Sequence, residues 1–244
     1  MSHSTISLGL GLGGGKSATS SGEAGGGGGA AFSNTKSVHL DGTDDDMFLD
    51  SSVAFTGAFT LSFWFKDTDG NNYPHLAAPY LFIYGSGIGA GNYILVRSVG
   101  TITTGSGAYS DNQWYNLVLK RDGSDNVTLY RDGTSIGTSS GSGTVTFRQF
   151  GKNGSYDPFG GNIDEVALWD SALSDTDRHA IRGGVAAGTR GLPSDLDDLS
   201  SRPAHWWRCG DGDDTGTTSE DVGTATAVPM QLRNGASFEA EVPS

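Results

Sequence analysis

The chain has 244 residues, with 28 Asp or Glu against 15 Lys or Arg, for a formal net charge of -13. That balance argues against nucleic acid, whose phosphates demand a basic footprint, and against an anionic membrane surface. A single cysteine, Cys209, leaves no disulfide framework and no paired-thiol site, and no apolar run reaches the roughly 18 residues of a membrane span.

Thirty-nine glycines, and only five glutamates among the 28 acids, point to turns and loops more than to helices. Asp-rich loops suit metal ligation as well as a solvated acidic surface, and composition leaves both open. The N-terminus has neither a basic segment nor a continuous apolar segment of a secretory signal. The expectation is therefore a protein made in a cytoplasm that leaves, if at all, by a route other than secretion.

Residues 1–31 contain eleven glycines interspersed with serines and are expected to form a flexible arm that buries no core. Gly13-Gly14-Gly15-Lys16-Ser17 has the tail of a phosphate-binding loop, but Leu10 stands where that loop needs its first glycine. From residue 36 short alternating strands begin. Phe59, Leu61, Phe63 and Phe65 share one face of a strand, with Thr60, Ser62 and Lys66 on the other. Tyr115, Leu117 and Leu119 repeat the pattern, and 117–136 reads as three strands joined at Asp122-Gly123 and Asp132-Gly133. Alternation over 163–169 is less clean, with Ile163, Ala167 and Trp169 set against Val166 and Leu168, as suits a strand covered on both sides. Ser174 is a helix N-cap with Asp177 three residues on and Gly183 closing; a second helical turn is expected at 194–199. The fold expected is an all-β, two-sheet antiparallel jelly-roll sandwich with one or two short helices: arm 1–31, sandwich 32–182, and an extension 183–244 that completes the sandwich or reaches a neighbouring copy.

Five blocks in order carry a resemblance. Ser37-Val38-His39-Leu40-Asp41-Gly42-Thr43-Asp44-Asp45 resembles the opening strand and loop of laminin-G-like, pentraxin-related domains of the concanavalin A-like lectin type. Phe59-Thr60-Leu61-Ser62-Phe63-Trp64-Phe65-Lys66 is similar to their second motif. The hairpins from Trp114 to Gly133, and Gly161-Asn162-Ile163-Asp164-Glu165-Val166-Ala167-Leu168-Trp169 with its following helix, are similar to the rest. The segment from His205 to Gly212, with Met230 to Ala236, resembles what usually opens such domains, yet here it comes last. That placement, the acidic, glycine-rich composition and the arm also resemble structural proteins of tailed bacteriophages.

The five histidines (His3, His39, His75, His179, His205) lack metal-binding spacing, and Cys209 has no nucleophile partners in the pattern. Retaining glycoside hydrolysis needs two carboxyl groups about 5 Å apart on one sheet face. Asp164-Glu165 is the only acidic pair on a core strand, and strict alternation sends the two to opposite faces. An enzyme is therefore not expected. The resemblance implies calcium near the first loop and the Asp-Glu strand, with Asp41 and Asp164 as candidate ligands; the alternative is that Asp41-Gly42 is only a turn and Asp164 caps a loop. Aromatics in or near loops (Tyr73, Tyr80, Tyr84, Tyr109 and Trp114) offer faces for sugar stacking, though inter-sheet packing absorbs most aromatics in a sandwich. Asp69, Asn71, Asn72, Tyr73 and Trp114 are the expected ligand rim.

The function expected is a virion decoration or fibre protein whose lectin-like domain projects from the particle and binds host glycans weakly. Residues 1–31 would join other virion proteins, with a trimer by analogy, and no nucleic-acid or membrane partner. A cell-surface or exported carbohydrate-binding module is the alternative, and a glycoside hydrolase stands behind it.

Overall fold

A computed structural model describes residues 32–69, 75–78, 80–84, 92–97, 99–153, 158–212 and 214–244. The arm 1–31 and the rim candidates Asn71, Asn72 and Tyr73 lie outside the described residues.

Antiparallel strands make up nearly all of the regular secondary structure among the described residues. They are β1 (Ser37–Asp41), β2 (Asp46–Phe55), β3 (Phe59–Asp67), β4 (His75–Ala78), β5 (Leu81–Tyr84), β6 (Tyr93–Val96), β7 (Ile102–Thr103), β8 (Trp114–Arg121), β9 (Asn126–Arg131) and β10 (Thr134–Ser140). There follow β11 (Val145–Phe150), β12 (Gly160–Trp169), helix α1 (Asp175–Ala180), β13 (His205–Trp207), β14 (Thr218–Ser219), β15 (Met230–Arg233) and β16 (Ser237–Glu239). One sheet runs β10-β9-β8-β3-β12-β1-β16, with β13 also paired to β12; the other runs β14-β15-β2-β11-β4-β5-β6-β7. The two sheets form the expected sandwich.

The main core lies between the sheets. Phe59, Leu61, Phe63 and Phe65 of β3 enter it, as the alternation predicts, beside Leu117 and Leu119 of β8 and Phe147 and Phe150 of β11. Phe147 packs edge-on against Phe55, Phe59 and Tyr80 at centroid distances of 6.4, 5.8 and 5.4 Å. Burying each such ring contributes on the order of 1.5–3 kcal/mol.

The hairpins divide on where positive φ falls. At β9–β10 Asp132 and Gly133 take φ 46° and 77°, the left-handed pair a two-residue hairpin turn requires. At β8–β9 the left-handed residue is Asp125, φ 61°, rather than Gly123. Asp122 supports that longer turn by accepting from the Ser124 and Asn126 amides at 2.8 and 2.9 Å. Ser174 caps α1 by accepting from the Asp177 amide at 3.0 Å, and Gly183 takes φ 69° just beyond the helix. The second helical turn is a single 3-10 turn, Leu196–Asp198.

β12 corrects the sequence expectation. Its register with β3 shifts between Asp164 and Ala167, so one extra residue is inserted, and Glu165 takes φ 48°. This bulge changes the parity of the strand. Ile163, Val166 and Leu168 all face the main core, whereas Ala167 and Trp169 face a second cluster with Leu173, Ile181, Leu196, Leu199 and Trp206. The segment after β12 therefore packs over the outer face of the sheet that contains β3.

Residues 205–239 add strands to both sheets of their own sandwich: β13 to β12, β15 to β2, and β16 to β1. Asp221 organises this segment. Its carboxylate meets His205 Nδ1 at 2.6 Å and accepts from the amides of Trp206, Val228 and Gly223 at 2.9, 2.9 and 3.0 Å. Asp211 accepts from the amide and hydroxyl of Thr35 at 2.7 and 2.6 Å, pinning the chain just before β1.

Candidate functional site

Asp41 ends β1, and the short connection to β2 folds its acidic residues inward. Asp41 Oδ1 accepts from the Thr43 amide at 2.7 Å, the local turn to which Asp is suited. Asp45 returns its Oδ2 to the Asp41 amide at 2.9 Å. One carboxylate oxygen from each of Asp41, Asp44 and Asp45 then lies within 4.8 Å of the others. Asp45 is 2% exposed, and its Oδ1 is buried without a hydrogen-bond donor. Burial, together with the charges of Asp41 and Asp44, raises its carboxyl above the usual carboxylate range. A Cβ added at Gly235 would stand 3.0 Å from that oxygen, so glycine keeps the space beside it clear. Lys152 Nζ donates to the Asp44 carbonyl at 2.8 Å. An all-oxygen donor set with one buried, donor-free carboxylate oxygen fits a hard divalent cation such as calcium.

Asp164 is not part of this group. Asp41 pairs with Gly160 across the β1–β12 ladder, and Asp164 lies four residues further along β12, roughly 13 Å away at the strand rise. Its side chain is wholly buried and accepts from Asn34 Nδ2 at 3.0 Å. The metal pair Asp41 and Asp164 is thus split, because the bulge ties Asp164 to the chain preceding β1.

The bulge also turns Glu165 to the outer side of the sheet, not to the face opposite Asp164 as alternation implied. Glu165 accepts from Trp206 Nε1 at 2.5 Å and from Arg208 Nε at 3.3 Å, and it is 4% exposed. Burial raises both carboxyls above their ordinary range; the charge of Glu165 adds to the effect at Asp164, while Arg208 works against it at Glu165. An acid pair held in this way is enclosed by its own protein and has no open face for a sugar ring. Cys209 sits beside it, fully buried, its thiol pushed up by burial and by the adjacent carboxylates, so it is no nucleophile.

The expected rim is reassigned in part. Trp114 is 4% exposed on the outer face of β8, and Tyr80 and Tyr109 are 7% and 2% exposed. All three are packing residues, and Tyr109 donates to Asp67 Oδ2 at 3.1 Å. Asp69 is exposed just after β3, against Gly160 of β12. Two features go beyond the sequence reading: which acids of the oxygen-bearing loop 41–46 join Asp41, namely Asp44 and Asp45, and an open cleft of about 280 Å³ at residues 104–108 with Arg131 and Ile136. The Asp run at 44–46 carries the first signal. The second has none in one strand alone, since loop and sheet edge meet only in the fold.

A family model described as the concanavalin A-like lectin/glucanases superfamily matches residues 41–177. A comparison with curated proteins gives no match. Among solved structures, the chain is similar to a Bacteroides ovatus protein described as a candidate carbohydrate binder, at TM-score 0.63 and 15% identity over 87% of this chain; it spans 62% of that structure's length. A heptameric SAP-like pentraxin from Limulus polyphemus is similar at TM-score 0.46 and 14% identity over 81% of this chain and 95% of that one. Domains LG4-5 of the mouse laminin alpha1 chain are similar at TM-score 0.42 and 14% identity over 58% and 44%. Identities this low speak to fold alone.

Proposed function

The chain belongs to the concanavalin A-like lectin/glucanase superfamily, and from that premise we propose that it is a non-enzymatic, sugar-binding module on the surface of a virion. The observation that carries the binding half of this reading is the cluster of Asp41, Asp44 and Asp45, with the donor-free Oδ1 of Asp45 at its base. Calcium held there would keep coordination positions open for sugar hydroxyls, since it takes six to eight oxygens. The protein's own part is to fold the three carboxylates together through the Asp41 turn and to stiffen them through the Asp41 amide. The Bacteroides ovatus structure, described as that of a candidate carbohydrate binder, supports the same ligand class. The enclosure of Asp164 and Glu165 supports binding over cleavage, because a retaining mechanism needs its two carboxyl groups free on one face.

The virion setting is supported by composition. Residues 1–31 are rich in glycine and serine, a composition that suits an anchor gaining its affinity from a partner's surface. Other virion proteins are the partners proposed for that arm, and repeated copies would raise a weak sugar affinity by avidity. A glycan array probed with the full chain, with and without calcium, alongside a reducing-sugar assay, tests the reading. Calcium-dependent retention on a subset of glycans without release of reducing ends is expected. Release of reducing ends, or no retention on any glycan, would overturn it.

A further inference from the structure

The cleft at residues 104–108 lies far from the acidic loop. Its Arg131 is on β9, four strands from β1 in the same sheet, so about 19 Å separates them at the usual strand spacing. The loop between β7 and β8 forms one wall, and Arg131 with Ile136 of β10 forms the other. A volume of about 280 Å³ falls at the small end of ligand pockets, which begin at roughly 300 Å³, and suits a single sugar ring better than a larger ligand.

Its chemistry is cationic in a chain of net charge -13. The Arg131 guanidinium stacks over the Tyr115 ring at 5.4 Å, and Arg190 approaches the same ring at 5.8 Å. Arg131 donates to the Ala108 carbonyl and its Nε is buried, so with the side chain 29% exposed a ligand in the cleft meets the remaining edge of the guanidinium. Asp132 Oδ2 stands 4.0 Å from Nε, a long ion pair beyond hydrogen-bond reach, while its Oδ1 accepts from the Asn116 amide at 3.0 Å. Arginine carries five donors in a fixed fork. Opposite it, Gly105 has nothing within 4 Å of where a Cβ would be, so packing does not demand glycine there. The bare loop instead leaves room for a ligand to approach the backbone.

We propose that this cleft binds the charged group of an acidic sugar unit, carboxylated or sulfated, on Arg131, independently of any cation at the Asp41 loop. The proposal rests on the sugar-binding reading above and adds to it a second site and a ligand class. A planar guanidinium held by stacking is preorganised for an oxyanion, and Ile136 supplies an apolar surface for the ring.

The test is calorimetric titration of the full chain in EDTA with oligogalacturonate, a sulfated oligosaccharide and a neutral oligosaccharide of the same length. Binding of one or both acidic probes is expected, with at least tenfold weaker binding of the neutral one and weakening in high salt. Arg131→Gln should lose tenfold or more, as should Gly105→Glu, which places an anion at the open rim without crowding the fold. Arg148→Gln on β11 makes the same charge change elsewhere and should bind as the parent does. Equal binding of acidic and neutral probes, or equal affinity in all three variants, would overturn the acidic site and leave the lectin reading standing. If no probe binds here while the array shows calcium-dependent glycans, this inference alone falls; no binding in either experiment removes both.

Discussion

Trp206 donates its indole N–H to Glu165 at 2.5 Å, although 41 residues separate them in the chain. The contact exists only because Glu165 sits at φ 48° in the bulge of β12, which turns its carboxyl outward toward β13. Arg208 closes the other side of that carboxyl while lying 5.3 Å over the Trp206 ring, so one buried acid ties the segment that begins at β13 onto β12. Acidic chemistry at the heart of this domain is thereby spent on holding the chain together.

That arrangement sets the alkaline side of stability. Burial pushes Glu165 up to about 8 and raises Asp164 as well. Their folded values lie above the unfolded ones, so the folded state holds more protons between the two, and stability falls as pH rises through the folded pKa. The thermal midpoint should decline as pH rises from the unfolded value of 4.5 and level off above about 8. Glu165→Gln, which keeps an acceptor for Trp206, should flatten that decline; an unchanged slope would show that the pair does not control it.

Asp221 sets the acid side. Burial raises it, but the hydrogen bonds from His205, Trp206, Val228 and Gly223 prevail and hold it below the usual range. A depressed carboxyl contributes stability that is present above its unfolded pKa and lost as pH falls through the folded one. Asp221→Ala should cost about 2–4 kcal/mol at neutral pH, because it strands several buried donors at once. Denaturant unfolding at pH 7 and pH 4 checks this, with a smaller loss expected at pH 4.

Much of this fold was legible because its strands obey two local rules. Phe59, Leu61, Phe63 and Phe65 alternate cleanly and face one core, and Asp132-Gly133 turns where positive φ is cheapest. The bulge escaped notice because inserting one residue leaves the composition of 163–169 unchanged and only reverses parity from Val166 onward. Trp114 misled for a related reason. Position beside a loop implies exposure only if nothing covers the sheet's outer face, and at 4% exposure this one is covered. At the site, Asp41 could be read from its Asp-Gly turn, but the close approach of Gly235 to Asp45 Oδ1 comes from 190 residues away and leaves no local signal.

Calcium should act through Asp45 more than through Asp164. Titration into chelator-treated protein should give a binding isotherm and a raised thermal midpoint, and Asp45→Asn should remove most of both. The same substitution without calcium should be neutral or mildly stabilising, since it relieves repulsion from Asp41 and Asp44. Asp164→Asn should leave the isotherm intact, and loss of calcium binding in that variant would return Asp164 to the site.

Two deletions separate the ends of the chain. Removing 205–244 takes away β13, β15 and β16, which leaves β12, β2 and β1 each short of a partner and removes the fully buried Trp207 from the core. Unpaired inner strands and an emptied core together exceed the few kcal/mol by which a domain is normally stable, so that product should fail to fold. Removing 1–31 leaves the Asp211 clamp on Thr35 and every strand in place. That product should keep its circular dichroism spectrum and melting temperature yet fail to join virion particles in a co-assembly assay. Normal incorporation would show that the anchor lies in the domain itself, and a collapse in melting temperature would show that the first 31 residues belong to its core.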